Sequence, residues 1–288
     1  MQIGAVVALC AAAVPLALWA AGTFGSSKPQ AAHTTPAKPR ASRPTATRAK
    51  RPQGSRHASR AKASKPKRGP KRQSRPSGTS RALPWREDGV SLVARTRGRR
   101  LAVYSGPRVK YPAFVLRNPD EIGTPRVVLV HSQRQQWVRV YLPTRPNHRT
   151  GWVRRRAVRL LRDPYRVVIR LRSHRLELWR GTKRALRARV VVGTPSTPTP
   201  RGLFYVVDLL RPSNPGGAYG PFAFDLSAHS YVLQHFAGGD GHVAIHGTNE
   251  PWLLGKDASH GCIRVTNRVI RRLARVLPLG TPVLIRRT

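Results

Sequence analysis

Apolar and polar positions along most of the chain follow a strand pattern: short β-branched or aromatic runs closed by turn residues. Val127-Val128-Leu129-Val130 and Trp137-Val138-Arg139-Val140-Tyr141-Leu142 are two such runs. Pro143-Thr144-Arg145-Pro146-Asn147 ends the second, and Gly151-Trp152-Val153 starts a third. Several short strands with these turn signals predict a small β module over 83–163. The pattern continues over 164–288. Val167-Val168-Ile169 and Leu176-Glu177-Leu178-Trp179 flank Ser173-His174-Arg175 and predict a hairpin. Arg189-Val190-Val191-Val192, Leu203-Phe204-Tyr205-Val206-Val207 and Val283-Leu284-Ile285 predict further strands. One stretch has helical period instead: Val269, Ile270, Leu273, Val276 and Leu277. Thr266 or Asn267 can cap that helix, and Pro278 and Gly280 stop it.

The first 82 residues break this pattern. Ile3 to Phe24 is apolar apart from small residues and Pro15. About 20 apolar residues can cross a bilayer, so 1–25 reads as a signal peptide or an N-terminal membrane anchor. Ala20-Ala21-Gly22 offers a small-residue cleavage site. Met1-Gln2 carries no positive charge while the chain from Lys28 is strongly basic, the reverse of the positive-inside pattern. Cys10 follows Leu9, where lipid modification would need a small residue, and belongs to the apolar segment.

Residues 26–82 form a Pro/Ala/Ser/Lys/Arg linker with 17 Lys+Arg and no acidic residue. Such a segment cannot bury enough surface to offset its ordering entropy, so disorder is expected. The whole chain carries 54 Lys+Arg against 11 Asp+Glu, a formal net charge of +43. Without the linker's 17, 37 basic residues remain against 11 acidic ones. That balance predicts a polyanionic partner: an anionic wall polymer, a membrane surface or nucleic acid. Two cysteines exclude a disulfide framework.

Candidate chemistry concentrates in His242 to Asn267, HVAIHGTNEPWLLGKDASHGCIRVTN. It contains Cys262, with His246, His260, Gly247 and Gly261 close in sequence. A thiol nucleophile needs a base, and the base needs a group to orient it. Val243-Ala244-Ile245 favours a strand, which puts residues 242, 244 and 246 on one face. His242 and His246 are then about 13 Å apart, at about 3.3 Å per residue, too far to share a zinc ion. Asn249, Pro251 and Gly255 mark a loop that can fold Ser259-His260-Gly261-Cys262 back beside His246. His229 and His235 lie among apolar and aromatic residues and read as structural.

The stretch IHGTNEPWLLGKDASHGCIRVTN closely resembles the signature of the L,D-transpeptidase (YkuD-type) catalytic domain. Thr199-Pro200-Arg201-Gly202-Leu203-Phe204 is similar to that family's weaker second block. The one departure is Val269, where many relatives are acidic. The WVRVYLPTRPN…GWV arrangement resembles the SH3-like modules that precede some of these domains.

The resemblance implies a mainly β fold. An antiparallel β-sandwich with a short C-terminal helix is expected over 164–288, behind a small SH3-like β-barrel over 83–163. It implies Cys262 as nucleophile and His246 as its base, with the Gly247 carbonyl orienting that base. His260 and Gly261 complete the catalytic set, and Ser259, Arg264 and Asn267 are the substrate-binding residues. No metal or cofactor is implied.

The expected reaction takes a peptidoglycan stem tetrapeptide, releases its terminal D-Ala, and passes the acyl group to an amine of a neighbouring stem as a 3→3 cross-link. Water as acceptor would make a carboxypeptidase. A lowered thiol pKa and an Arg264 free to grip a carboxylate are further expectations. Export to the cell wall or periplasmic space follows, and argues against nucleic acid as the partner. A non-catalytic wall- or polyanion-binding protein would account for the charge but not for the Cys/His block.

Overall fold

The computed structural model of the protein describes residues 84–235 and 240–288, which fall within one compact unit, 73–288. The apolar segment of 1–25 and the basic linker of 26–82 lie outside the described residues. Among the described residues no helix is long and apolar enough to cross a membrane.

Seven strands come first: β1 (Ser91–Thr96), β2 (Arg100–Val103), β3 (Phe114–Arg117), β4 (Val127–Arg134), β5 (Trp137–Tyr141), β6 (Thr150–Arg154) and β7 (Val158–Asp163). Five of them form an antiparallel sheet in the order β6-β5-β4-β1-β7. β2 and β3 pair as a hairpin, which a bridge between Tyr104 and Trp152 ties to β6. The apolar runs picked out by pattern, at 127–130 and 137–142, are buried in β4 and at β5.

The remaining strands are β8 (Tyr165–Arg170), β9 (Arg175–Arg180), β10 (Lys183–Arg189), β11 (Val192–Gly193), β12 (Gly202–Leu210), β13 (Ala223–His229), β14 (His242–His246), β15 (Asp257–Ser259), β16 (Ile263–Arg264) and β17 (Pro282–Arg286). Eight build one sheet in the order β10-β9-β8-β17-β12-β13-β14-β16. The β8–β17 and β14–β16 pairs are parallel and the others antiparallel. Leu176 and Leu178 near one end of this sheet share a core with Ile263 at the other, so the sheet curls around that core. The predicted strand over Arg189–Val192 is divided. Arg189 ends β10, Val191 bridges to Arg264, and Val192 begins β11.

β12 belongs to two cores. Side chains alternate between the faces of a strand. Phe204 and Val206 enter the core of the eight-stranded sheet, while Leu203, Tyr205 and Val207 complete the core of β1–β7. An apolar run without polar alternation is what a strand buried on both faces requires.

The helix α1 (Asn267–Ala274) buries Ile270 and Leu273 against the first of these cores. Thr266 is its N-cap and accepts a hydrogen bond from the Val269 amide, a contact worth about 1 kcal/mol. Arg271 and Arg272 in its last turn complement the helix dipole. Because Thr266 caps the helix, the side chain of Asn267 is free to face the loop after β14. The fold is thus mainly β with one short helix, as the strand pattern and the resemblance predict.

Candidate active site

β14 sets the site. Val243 and Ile245 point into the core, so His242, Ala244 and His246 occupy the opposite face. β16 runs parallel beside it, with Ile245 opposite Ile263 and His246 opposite Arg264. This register brings Cys262, one residue before β16, alongside Ala244. A backbone hydrogen bond from Ala244 reaches the thiol there.

The turn that carries the thiol is braced from two sides. Ser259, fully buried, donates from Oγ to the Cys262 carbonyl at 2.6 Å and accepts from the Gly261 amide at 3.2 Å. Gly261 has φ +117°, a conformation that side chains with a Cβ rarely adopt. The second sequence block supplies the other brace. Thr199 Oγ1 donates to the Gly261 carbonyl and accepts from the Gly193 amide, both at 2.9 Å. Thr194 N and Thr197 Oγ1 donate to the Ser259 carbonyl at 3.0 and 3.2 Å. The Ser-His-Gly-Cys turn and the Thr-Pro-Arg-Gly block are therefore parts of one construction.

His246 is buried, with Nδ1 2.7 Å from the Gly247 carbonyl. A carbonyl only accepts, so Nδ1 carries the proton and Nε2 keeps its lone pair. Burial holds this imidazole at about 4; the Gly247 hydrogen bond raises it and the charge of Arg264 lowers it. Burial pushes the Cys262 thiol up, against the Ala244 hydrogen bond and the charge of Arg264, which lower it, while the charge of Asp225 raises it. The expected lowering of the thiol is thus corrected: desolvation of the charged form outweighs the groups that favour it. The resting pair is a neutral thiol and a neutral imidazole.

Cys262 and His246 line a single pocket of about 240 Å³ together with Ala218, Tyr219, Ser259, His260 and Arg264. Larger clefts, of about 600 and 520 Å³, lie on the β1–β7 part among arginines, and neither cysteine nor histidine lines them. Arg264 is not a free clamp. Its Nη1 is 2.7 Å from Glu250 Oε2, and its buried Nε has no partner among the described residues. Asn267 sits behind the site, where Oδ1 accepts from the Thr248 amide at 2.9 Å and fills the space beside Gly220 and Gly247. It thereby holds the backbone whose carbonyl fixes His246. His260 is exposed at the pocket rim.

Residues 164–285 match the family model described as the L,D-transpeptidase catalytic domain, YkuD. The YkuD proteins of Bacillus licheniformis and Bacillus subtilis are 38% and 35% identical over 120 and 124 residues, or 42% and 43% of this chain. The chain belongs to the L,D-transpeptidase catalytic-domain family. The match spans 64% and 67% of the length of those two relatives. A solved catalytic domain of an Enterococcus faecium L,D-transpeptidase is 25% identical, with a TM-score of 0.32, covering 42% of this chain and 96% of that one.

Three features of this L,D-transpeptidase-family site had not been picked out from the sequence. The Tyr219 ring stands 4.8 Å from that of His246, in a Gly-Gly-Ala-Tyr-Gly loop with no periodic signal. Glu250 lies inside the signature stretch but acquires its role only when the loop folds back onto Arg264. His229, read as structural, sits with Asp240 and His242 in a cluster on the same sheet face. Asp240 precedes β14 across Gly241, whose φ is +76°, so no strand periodicity marked the cluster in the sequence.

Proposed function

We propose that the chain is an exported, cysteine-dependent L,D-transpeptidase that forms 3→3 cross-links between peptidoglycan stems. The observation that carries this reading is the pairing in one pocket of Cys262 with a buried His246 whose Nδ1 is pinned by Gly247. A neutral imidazole beside a neutral thiol suits a base that takes the proton as attack begins.

Sγ of Cys262 attacks the carbonyl carbon of the third stem residue, and its proton passes to Nε2 of His246. With the Gly261 amide held by Ser259 Oγ, the Cys262 amide faces the developing oxyanion, the interaction that contributes most in acyl transfer. The amide C–N bond then breaks, the imidazolium returns its proton to the leaving amine, and D-Ala departs. An amine of a neighbouring stem attacks the thioester and restores the thiol, its proton leaving through the same imidazole. Arg264, already balanced by Glu250, offers its unpartnered Nε as a donor to the donor stem.

The β1–β7 part acts as an SH3-like module presented to the wall, a reading supported by its five-stranded antiparallel sheet and added hairpin. The basic segment of 26–82 grips anionic wall polymer or lipid headgroups, which its 17 Lys+Arg without an acid support.

Incubating the protein with a defined stem tetrapeptide and an excess of an acceptor stem, then weighing the products, tests the assignment. The expected product is a cross-linked dimer that has lost one D-Ala. Tripeptide as the sole product would make the acceptor water, and unchanged tetrapeptide would remove the enzymatic reading.

A further inference from the structure

We propose that His229, Asp240 and His242 form a zinc-binding site at the base of the loop between β13 and β14. Their ligand atoms lie within 4.8 Å of one another. The Asp240 carboxylate stands between the two imidazoles, with Oδ2 3.3 Å from His229 Nε2 and Oδ1 3.1 Å from His242 Nε2. A tetrahedral zinc ion with bonds of about 2.0–2.1 Å separates its ligands by about 3.4 Å, close to the two gaps from the imidazoles to the carboxylate, each to a different oxygen.

The local fold builds this arrangement. Asp225 pairs with Ala244 and His229 with His242, so β13 uses four residue steps where β14 uses two. The resulting bulge sets Asp225 and His229 on either side of His242. Asp225 Oδ2 is 2.5 Å from His242 Nδ1 and fixes the tautomer that turns Nε2 toward Asp240 and His229. A carboxylate behind a ligating histidine is the outer-shell arrangement of many zinc sites. His229 is almost wholly buried. Its Nδ1 has no partner among the described residues, and its Nε2 has only the half-exposed Asp240 carboxylate. Nε2 is therefore the nitrogen that faces the Asp240 carboxylate and the one that would ligate.

The donor set selects the metal. Two imidazoles and one carboxylate suit zinc rather than calcium or magnesium, which take oxygen ligands. Arg145 stands nearby and donates to the carbonyls of Ser230, Leu233 and Asp240, drawing both ends of the loop together. Its charge further disfavours ions held by electrostatic attraction alone. The fourth position falls to water. A zinc ion here would tie Asp240 to the same sheet face that carries His246.

The test uses the tag-free full chain, stripped with a chelator and re-exposed to zinc. Bound metal is measured by elemental analysis, and affinity by competition with a chromogenic chelator. The expected result is one zinc per chain in the parent and in Cys262→Ala, and loss of that zinc in Asp240→Asn and His242→Gln. Asp225→Asn should retain the site with about 10–100-fold weaker affinity. A parent that takes up no zinc overturns the proposal. So does zinc that disappears with Cys262→Ala, which would assign the metal to the thiol, or zinc that persists at parental affinity in both ligand variants.

Discussion

At the scale of single residues, the site is governed by burial rather than by ion pairing. The Cys262 thiol is pushed up, and the His246 imidazole is held at about 4. Above about pH 4 the imidazole of the free protein is therefore neutral, and proton uptake there does not limit attack. Thiol alkylation should keep rising with pH beyond the ordinary thiol range near 8.5, without an early plateau. The check is the pH profile of alkylation by a small uncharged reagent, and a plateau below pH 7 would instead mean a preformed thiolate–imidazolium pair. Stability responds in a lower pH window. A histidine whose folded value lies below the unfolded 6.5 stabilises fully above 6.5, and that contribution is lost as pH falls toward 4. The thiol, the histidine and the glycine turn were legible in the sequence because they are contiguous. Tyr219, Glu250, Asp225 and Asp240 were not, because chain reversals bring them to the site and reversals leave no periodic trace.

At the scale of elements, β12 is the strand on which both cores depend. Its apolar run was plain in the sequence, but an unbroken run does not say which side chains enter which core. That assignment needs the pairing with β17 and β13. Phe204→Ala should cost about 3–5 kcal/mol, as for large-to-small changes at fully buried aromatics. Tyr205→Phe should behave in the opposite sense. The buried Tyr205 hydroxyl has no partner among the described residues, so its removal should be neutral or stabilise by about 1 kcal/mol. Chemical denaturation followed by two probes, one for each core, decides both points. The two probes should move together for each variant. Separate transitions would show that the cores fold independently of their common strand. The strand class itself was readable because the runs are short and rich in β-branched and aromatic residues, with Pro143 and Gly193 closing two of them. The division of 189–192 was not, since Val190 and Val191 carry strand propensity while tertiary contacts set their place.

At the scale of the whole molecule, the sequence divides sharply between a basic segment and a folded unit, and the two should be separable in function. Deleting residues 26–82 should leave turnover of a soluble stem peptide unchanged while reducing retention on anionic wall preparations. Retention of the parent should also weaken with added salt, because exposed charges are screened beyond about 10 Å at 0.1 M. Retention indifferent to both deletion and salt would leave the segment as a spacer. The proposed activity assigns acylation to Cys262 and proton transfer to His246, and intact-protein mass spectrometry after brief exposure of the full chain to a stem tetrapeptide tests it most directly. The parent should gain the mass of the tetrapeptide less D-Ala, on Cys262. Cys262→Ala should gain nothing while remaining folded, and His246→Ala should form the adduct about 10²–10⁴-fold more slowly. An adduct of the same mass on Cys262→Ala, or parental acylation kinetics in His246→Ala, would contradict the account.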